Sequence, residues 1–351
     1  MKLCPELIAL RSQVHVFIFV QFSAITRENV SDCYSKVNTV CNVLLHASQD
    51  LEVGLNLTDF LATIVHVERQ HAECEMLLNV DELTVSVRSA ESVAQLIEKI
   101  SFSVGVGETL AIVGESGSGK TTLAKALTQL FPKNRGFSVT GCVQFGDLDL
   151  LTVSDSEMRT LRQSEIRYVF QEPAMALSPL LRLETQVSHA IRSKIGKSGD
   201  AENRIRRFND LLSQFRIQQP EAVLRRYPHQ LSIGTLQRIH VAIALAPKPR
   251  LLIADEPTSS VDASQRNEIL DLLVHQCRSQ GMGMILITHD VDVARWYADA
   301  IAVLYKGRIV EMASKEEFFE RPSHPYSQLL LSSIPSLHHS MDSVDLQPTE
   351  V

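Results

Sequence analysis

From Met76 onward, the chain alternates short apolar runs with amphipathic stretches. The segment MLLNVDELTVSV, which begins at Met76, alternates apolar and polar residues and predicts an edge strand. Three mostly apolar runs, at residues 109–113, 251–254 and 284–288, predict buried strands of a parallel sheet. A strand-poor stretch at about residues 172–246 predicts a helical insert. The pattern therefore predicts an α/β fold in which a largely parallel sheet is covered by helices on both faces.

Two segments flank this pattern. The first 75 residues contain one glycine, one proline and four of the six cysteines, and they carry no motif that we assign. They are either an accessory extension or sequence upstream of the true start. Their apolar stretch at residues 16–22 is far shorter than the roughly 20 residues of a membrane-spanning helix and lacks a signal-peptide cleavage pattern. We therefore predict neither a membrane span nor export. The polar composition of residues 336–351 predicts a loose C-terminal tail.

The net charge and the cysteine positions count against three classes of protein: basic nucleic-acid binders, disulfide-linked scaffolds and iron–sulfur proteins. The formal net charge of -7 counts against a nucleic-acid binder with a broad basic surface, so we expect no nucleic-acid partner. The six cysteines form no CxxC pair and no metal-ligand spacing. They predict free thiols in a reducing compartment, and not a disulfide framework or an iron–sulfur site.

The segment GESGSGKTT at residues 114–122 matches the phosphate-binding pattern GxxxxGK[ST] between a predicted strand and a helix predicted over residues 121–130. In this pattern the backbone N–H groups and the helix N-terminus surround the phosphates, the lysine reaches the β- and γ-phosphates, and the following hydroxyl reaches Mg²⁺. The alternative is a glycine-rich turn that carries a lysine by chance. The predicted ATP-binding residues are Gly114, Glu115, Ser116, Gly117, Ser118, Gly119, Lys120, Thr121 and Thr122.

Two adjacent carboxylates follow the second predicted strand. Their mutual repulsion and lost hydration are tolerated mainly where a cation or a chemical task compensates. Asp255 fits a Mg²⁺ ligand that acts through water, beside Thr121. Glu256 fits the general base that polarises the attacking water, a role typically worth about 10²- to 10⁴-fold in rate. The alternative is a capping cluster on the next helix.

Two further side chains are predicted at the same edge of the sheet. His289 follows the third predicted strand, where it would hold the γ-phosphate and the water in line. Gln171, in YVFQEP, would reach the same atoms and the metal from the other side. A lone histidine after a strand is more often structural, so each of these two signals is weak by itself.

In this order, the elements resemble the nucleotide-binding subunit of an ABC transporter. The resemblance rests on the phosphate loop, Gln171, a degenerate signature at residues 231–238, the Asp255–Glu256 pair, a D-loop at residues 259–262 and His289. It covers roughly residues 76–335. The segments VGESGSGKTTLAKAL, FQEPAMALSP, LLIADEPTSS and HPYSQLLLSSIP resemble the ATPases of peptide and nickel importers, including dipeptide and oligopeptide permeases and antimicrobial-peptide uptake systems.

The resemblance implies a P-loop NTPase with a RecA-like parallel sheet, an antiparallel β subdomain and a helical signature subdomain at about residues 172–246. It implies ATP and Mg²⁺ as cofactors, and ATP hydrolysis coupled to transport. Two cassettes would close head to tail, so that Ser232 and Gly234 contact ATP held by the partner. Residues 172–181 would meet one of two membrane permeases, and a substrate-binding protein would act indirectly. The chain would then sit peripherally at the cytoplasmic face of the cell membrane.

Three departures from the family pattern qualify this picture. In HQLSIGTLQR, Ile233 replaces the first glycine of the usual Leu-Ser-Gly-Gly signature, which predicts a heterodimer whose second site turns over poorly. A neutral variant in an active homodimer is the alternative. Val87 stands where an aromatic residue often stacks on adenine, a loss of about 1–3 kcal/mol unless another Tyr or Phe substitutes. No cysteine follows Cys277, so we predict no iron–sulfur cluster near the C-terminus.

Two other functions compete with the importer ATPase. A soluble ABC ATPase acting on ribosomes or DNA usually has two cassettes, long coiled coils or a basic face, and this sequence has one cassette and is acidic. A weakly hydrolysing regulatory subunit is favoured by Ile233 and Val87 and opposed by Glu256 and His289. The transported cargo is left open between peptides, nickel and antimicrobial peptides.

Overall fold

The computed structural model describes residues 76–88, 92–132, 136–191 and 201–333. The predictions for residues 1–75, including the apolar stretch 16–22, and for residues 336–351 lie outside these ranges. Within the described part of the chain, no helix has the length and apolar character needed to cross a bilayer.

Strands and helices alternate along the described chain. The strands are β1 (Met76–Arg88), β2 (Val93–Gly105), β3 (Thr109–Val113), β4 (Phe137–Phe145), β5 (Leu148–Asp149), β6 (Ile166–Val169), β7 (Leu251–Asp255), β8 (Gly283–Thr288), β9 (Ala300–Tyr305) and β10 (Arg308–Ser314). The helices are α1 (Lys120–Leu127), α2 (Asp155–Ser164), α3 (Pro173–Ala176), α4 (Leu183–Ala190), α5 (Ala201–Gln214), α6 (Pro220–Leu224), α7 (Ile233–Leu245), α8 (Ala263–Ser279), α9 (Val291–Tyr297), α10 (Lys315–Glu320) and α11 (Pro325–Ser332).

The main sheet has six strands in the order β10-β9-β3-β8-β7-β6, and the neighbouring pairs from β9 to β6 are parallel. Successive residues of its strands face opposite sides: Leu110 and Ile112 pack in one core cluster, whereas Ala111 and Val113 pack in another. Both faces are therefore buried, as the wholly apolar runs predict. The predicted parallel sheet with helices on both faces is confirmed.

A second, antiparallel sheet has the order β2-β1-β4-β5. The prediction that β1 is an edge strand is wrong, because β1 pairs with β2 on one side and with β4 on the other. Its alternation arises from one buried face, which carries Leu78, Val80, Leu83 and Val85. An amphipathic strand in the middle of a sheet with one solvated face gives the same pattern as an edge strand.

Between β6 and β7, the described residues form helices α3 to α7 and contain no strand. Helix α7 is buried along most of its length, and it shares a core cluster with Phe208 and Leu212 of α5. The predicted helical insert is therefore present in the described residues.

Helix α1 is shorter than predicted. It ends at Leu127 and not at residue 130. The Thr128 hydroxyl donates to the carbonyl of Ala124 at 2.9 Å, and Gln129 adopts a left-handed conformation with φ 48°. A left-handed residue cannot continue a right-handed helix, so the backbone turns away three residues early.

Candidate functional site

The carboxyl ends of three neighbouring strands form the candidate site. Val113 of β3 pairs with Thr288 of β8, and Asp255 of β7 pairs with Ile287 of β8. The loop at residues 114–119, the pair Asp255–Glu256 and His289 therefore leave the sheet side by side. This edge is where open α/β sheets bind ligands.

The loop after β3 curls around a buried lysine. Lys120 is 6% exposed, and its Nζ donates to the carbonyl oxygens of Gly114 and Glu115, each at 2.8 Å. Gly119 caps α1 with φ 110°, a left-handed conformation that an L side chain resists, and a Cβ there would press on Ile97. Burial lowers the pKa of Lys120, while the charges of Glu256 and Asp255 oppose that shift. The phosphate-binding loop predicted from the sequence is thus closed around its lysine.

Asp255 has one carboxylate oxygen engaged and one without a partner among the described residues. Its Oδ2 accepts from the Tyr168 hydroxyl at 2.7 Å, whereas the buried Oδ1 makes no hydrogen bond. Burial raises the pKa of Asp255, and the nearby hydroxyls of Tyr168 and Thr121 counteract part of that rise. The structure therefore brings Thr121 and Asp255 together.

The donor set fits Mg²⁺, because Mg²⁺ prefers oxygen ligands and keeps several waters beside one or two carboxylates. No group of three or more His, Cys, Asp or Glu side chains within the described ranges is arranged to hold a metal by itself. Asp255 and the Thr121 hydroxyl would supply the protein oxygens, and phosphate and water would supply the remainder.

Glu256 is held between two of the predicted site residues. Its Oε2 accepts from Gln171 Nε2 at 3.0 Å, and its Oε1 lies 3.0 Å from His289 Nδ1. Its backbone is left-handed, with φ 45°, and its N–H donates to the carbonyl of Ile287 at 2.9 Å. Such a conformation costs a non-glycine residue about 1–2 kcal/mol, and residues of this kind cluster at functional sites. Gln171, Glu256 and His289, which lie far apart in the sequence, therefore form one hydrogen-bonded group.

The signature segment forms the start of α7. Ser232 is its N-cap, and the serine hydroxyl accepts from the Thr235 N–H at 3.3 Å. Ile233 is 57% exposed. A Cβ at Gly234 would meet the side-chain oxygen of Gln265, the far end of a flexible side chain that can move aside. The approach of a partner's phosphate, for which Gly234 was predicted, stays a prediction.

Val87 lies beside an aromatic pair that the sequence did not point to. It pairs with Phe137 of β4 across the antiparallel sheet, and Phe137 stacks on Phe131 with ring centroids 4.5 Å apart. The loss of an adenine-stacking side chain at Val87, and its replacement by another Tyr or Phe, stays a prediction.

Two polar contacts near the site were not anticipated. Besides Tyr168 on Asp255, the Phe170 N–H donates to His240 Nε2 at 3.0 Å and so links α7 to the residue before Gln171. Burial, aided by the charge of Arg167, lowers the pKa of His240 to about 4 and keeps its ring neutral. Tyr168 stands in the YVFQEP motif, so a tyrosine at the end of a strand leading to the site was the available signal.

Comparisons with known proteins agree with this geometry. The ABC transporter family matches residues 97–259, and the oligopeptide/dipeptide transporter C-terminal region matches residues 310–351. The oligopeptide transport ATP-binding protein of Lactococcus lactis subsp. cremoris is 39% identical over 280 residues, which are 80% of this chain and 82% of the relative. The dipeptide transport ATP-binding protein of Escherichia coli is 38% identical over 259 residues, which are 74% of this chain and 78% of the relative.

Solved structures show the same fold. The dimeric structure of a bacterial ABC transporter cassette is 26% identical, with a TM-score of 0.60, and the match covers 68% of this chain and 98% of that one. A component of an ABC transporter complex from Clostridium perfringens is 27% identical, with a TM-score of 0.58, over 71% of this chain and 92% of that one. The chain therefore belongs to the ATP-binding subunits of ABC transporters, in the oligopeptide and dipeptide transporter family, and is an ATPase whose hydrolysis is coupled to transport.

Proposed function

We propose that this chain binds and hydrolyses ATP to power an importer of peptides, with nickel as the alternative cargo. The observation that carries the catalytic part is the position of Glu256, whose carboxylate is held by Gln171 on one oxygen and His289 on the other, beside the phosphate loop. The names of the relatives, which are oligopeptide and dipeptide transport proteins, support peptides as the cargo. Antimicrobial peptides belong to the same chemical class and remain within the proposal.

In the proposed reaction, Lys120 neutralises charge on the β- and γ-phosphates, and backbone N–H groups of the loop after Glu115 bind their oxygens. Mg²⁺, when bound through Thr121 and Asp255, would withdraw charge from the same phosphate oxygens. Glu256 accepts a proton from the attacking water as the bond to the γ-phosphorus forms and the bond to the ADP oxygen breaks. His289 donates from Nδ1 to the Glu256 carboxylate, and Nε2 can donate to the γ-phosphate only when the ring carries both protons.

We place Ser232 and Gly234 against ATP held by a second ATPase subunit. The dimeric state of the similar bacterial cassette supports a paired arrangement. The hydrogen bonds of Ser232 within the described residues stay inside its own helix start, and none of them reaches the phosphate loop of the same chain. Because Ile233 is bulky and 57% exposed at this point, the partner is a different subunit with an intact signature, and the site built with Ile233 turns over slowly.

We propose that the segment after Gln171 contacts one of two membrane permeases. A substrate-binding protein acts through these permeases, and the chain is held peripherally at the cytoplasmic face of the membrane. Leu180 and Leu181 in this segment are adjacent leucines that are 84% and 47% exposed, so both side chains are open to a partner. The aspartate substitution Leu180→Asp is expected to weaken co-purification with the permeases. Leu148→Asp, at a leucine that is 46% exposed on the antiparallel sheet, is the matched control and should leave it intact.

The domain boundaries remain part of the proposal. Residues 76–335 form the nucleotide-binding domain, with the signature subdomain at about residues 172–246, residues 1–75 are an extension of unassigned role, and residues 336–351 are a polar tail. A weakly hydrolysing regulatory subunit is the second candidate, because Ile233 and Val87 both depart from the residues that support turnover.

The experiment that separates the two candidates compares the steady-state ATPase rate of the assembled transporter with wild-type chain and with Glu256→Gln. Loss of a general base is expected to lower the rate by about 10²- to 10⁴-fold at this site. ATP binding, measured on the same preparations, should persist in the variant. Equal rates for the two complexes would leave the regulatory subunit as the correct assignment.

A further inference from the structure

The C-terminal segment that carries HPY touches the phosphate loop directly. The Glu115 N–H donates to the Tyr326 hydroxyl at 3.1 Å, across 211 residues of sequence. Tyr326 is 8% exposed, and its ring packs on Tyr305 with centroids 4.2 Å apart. It also shares a core cluster with Val113, the last residue of β3 before the loop. A buried tyrosine from the C-terminal segment therefore lies under the start of the phosphate loop.

Each residue of HPY has a structural reason to be there. His324 is the N-cap of α11, and its Nδ1 accepts from the Tyr326 N–H at 3.1 Å. Pro325 occupies the first helical turn, where its missing N–H costs nothing. The cap and the proline fix the direction in which α11 begins, and so fix where the Tyr326 hydroxyl lies.

A buried carboxylate fixes this turn to the end of the main sheet. Glu311 of β10 is 8% exposed, and its two oxygens accept from the N–H groups of Ser323 at 2.7 Å and His324 at 2.9 Å. Although burial raises the pKa of Glu311, these backbone hydrogen bonds hold it below its ordinary value. The turn is therefore attached to the sheet through an ionised group, which makes strong hydrogen bonds.

The contact reaches the catalytic lysine through a single residue. The Glu115 N–H points to Tyr326, and the Glu115 carbonyl accepts from Lys120 Nζ at 2.8 Å. Both sides of this residue are thus held, one by the C-terminal segment and one by the lysine that contacts phosphate. A rotation of the Glu115 backbone would change the position of Lys120.

We propose that Tyr326 is a positioning residue for the phosphate loop, and that the HPY turn of residues 323–326 serves to hold Glu115, and through it Lys120, in the arrangement that binds nucleotide phosphates. The inference rests on the proposed function of Lys120 and adds a role for the C-terminal region. Tyr326 itself contacts neither Lys120 nor the reacting atoms in this assignment; it acts through Glu115.

The test is the Kd for MgATP of the full chain carrying Tyr326→Phe, which keeps the ring and removes only the acceptor for the Glu115 N–H. We expect Kd to rise roughly 3- to 10-fold, the range that one hydrogen bond of ordinary strength supports. Amide hydrogen exchange in the peptide covering residues 114–120 should become faster in the absence of nucleotide, while exchange in β6 and α2 is unchanged. A purely structural role for the ring would move neither quantity, because Phe preserves the ring.

Tyr305→Phe is the matched control, because it keeps the stacked ring pair and leaves the Glu115 contact in place; its Kd should equal that of the wild type. An unchanged Kd in Tyr326→Phe, or equal losses in the two variants, would overturn the inference. MgATP binding by the wild type and by Lys120→Ala tests the proposed function separately from the inference about Tyr326. Failure of the wild-type chain to bind MgATP would refute the proposed function itself, whereas wild-type binding that Lys120→Ala abolishes leaves the Tyr326 result to decide the inference alone.

Discussion

Tyr168→Phe is the substitution that best probes the buried carboxylate of the site. Asp255 is 2% exposed and has one oxygen without a hydrogen bond among the described residues, so the Tyr168 hydroxyl at 2.7 Å carries much of its stabilisation. Removing the hydroxyl leaves the ring and its contact with Phe170, with centroids 4.5 Å apart, in place. A hydrogen bond to a charged group contributes about 1.5–3 kcal/mol to stability. We expect Tyr168→Phe to lower the free energy of unfolding by about that amount at pH 8.

The loss depends on pH in a direction that follows from the pKa of Asp255. Burial already raises this pKa above its ordinary value, and loss of the Tyr168 donor raises it further. A carboxyl whose folded pKa lies above its unfolded pKa binds its proton more tightly in the folded state, so it destabilises the protein as pH rises through the folded pKa. The variant therefore differs most from the wild type above both folded pKa values. The difference shrinks as pH falls through the two folded pKa values, because the carboxyl then takes up its proton in both proteins.

Thermal unfolding of the nucleotide-free full chain at pH 8 and pH 5 measures both effects. We expect Tm to fall by about 3–8 °C at pH 8 and by less at pH 5. Tyr297→Phe is the matched control, since the Tyr297 hydroxyl donates to Asp271 at 2.8 Å in a more exposed setting, where the same bond contributes less. A Tyr168→Phe protein as stable as the wild type at pH 8, or one whose loss equals that of the control, would refute the reasoning.

Three further substitutions test other parts of the site. Ile233→Gly should raise the ATPase rate of the assembled transporter, because it removes an exposed side chain from the helix start that we propose to face the partner's nucleotide; an unchanged rate would favour a neutral variant in a homodimer. Lys120→Ala should abolish MgATP binding and substrate uptake while the nucleotide-free chain still folds, and normal uptake would contradict its role. His240→Gln keeps an acceptor that does not titrate. Since burial lowers the pKa of His240 to about 4, the wild type should lose on the order of 3 kcal/mol between pH 6.5 and pH 4 through this group, and the variant should not, with the exposed His275→Gln as control.

The parts of the site that the sequence predicted are those carried by short, contiguous motifs. The glycine–lysine loop, the Asp255–Glu256 pair and His289 each follow directly on an apolar run, and parallel strands bring their carboxyl ends to one edge. Periodicity alone therefore placed them together, although it did not give the direct contacts of Gln171 and His289 with Glu256.

Contacts between distant segments were beyond such reasoning. Tyr168 meets Asp255 across 87 residues and Tyr326 meets Glu115 across 211, and no local pattern specifies a partner at that separation. The edge assignment of β1 failed for a related reason, since alternation reports which face is buried and not how many strands lie alongside. The early end of α1 depends on the left-handed backbone of Gln129. Glutamine seldom adopts this conformation, so the sequence did not predict it.

The loop at residues 170–171 links the helical insert to the carboxylate of Glu256. At Phe170 the backbone N–H donates to His240 of α7, and at the next residue the Gln171 side chain donates to Glu256. Both distances are 3.0 Å, close to the optimum, so a displacement of α7 relative to β7 by even 1 Å must weaken one of them unless the loop moves with the helix. The neutral, buried ring of His240 cannot release Phe170 without leaving a buried polar group unpaired, which costs about 1–3 kcal/mol. The loop should therefore follow α7, and Gln171 is the contact that yields. Movement of α7 would thus remove the Gln171 hydrogen bond from Glu256, while His289 still holds the other carboxylate oxygen.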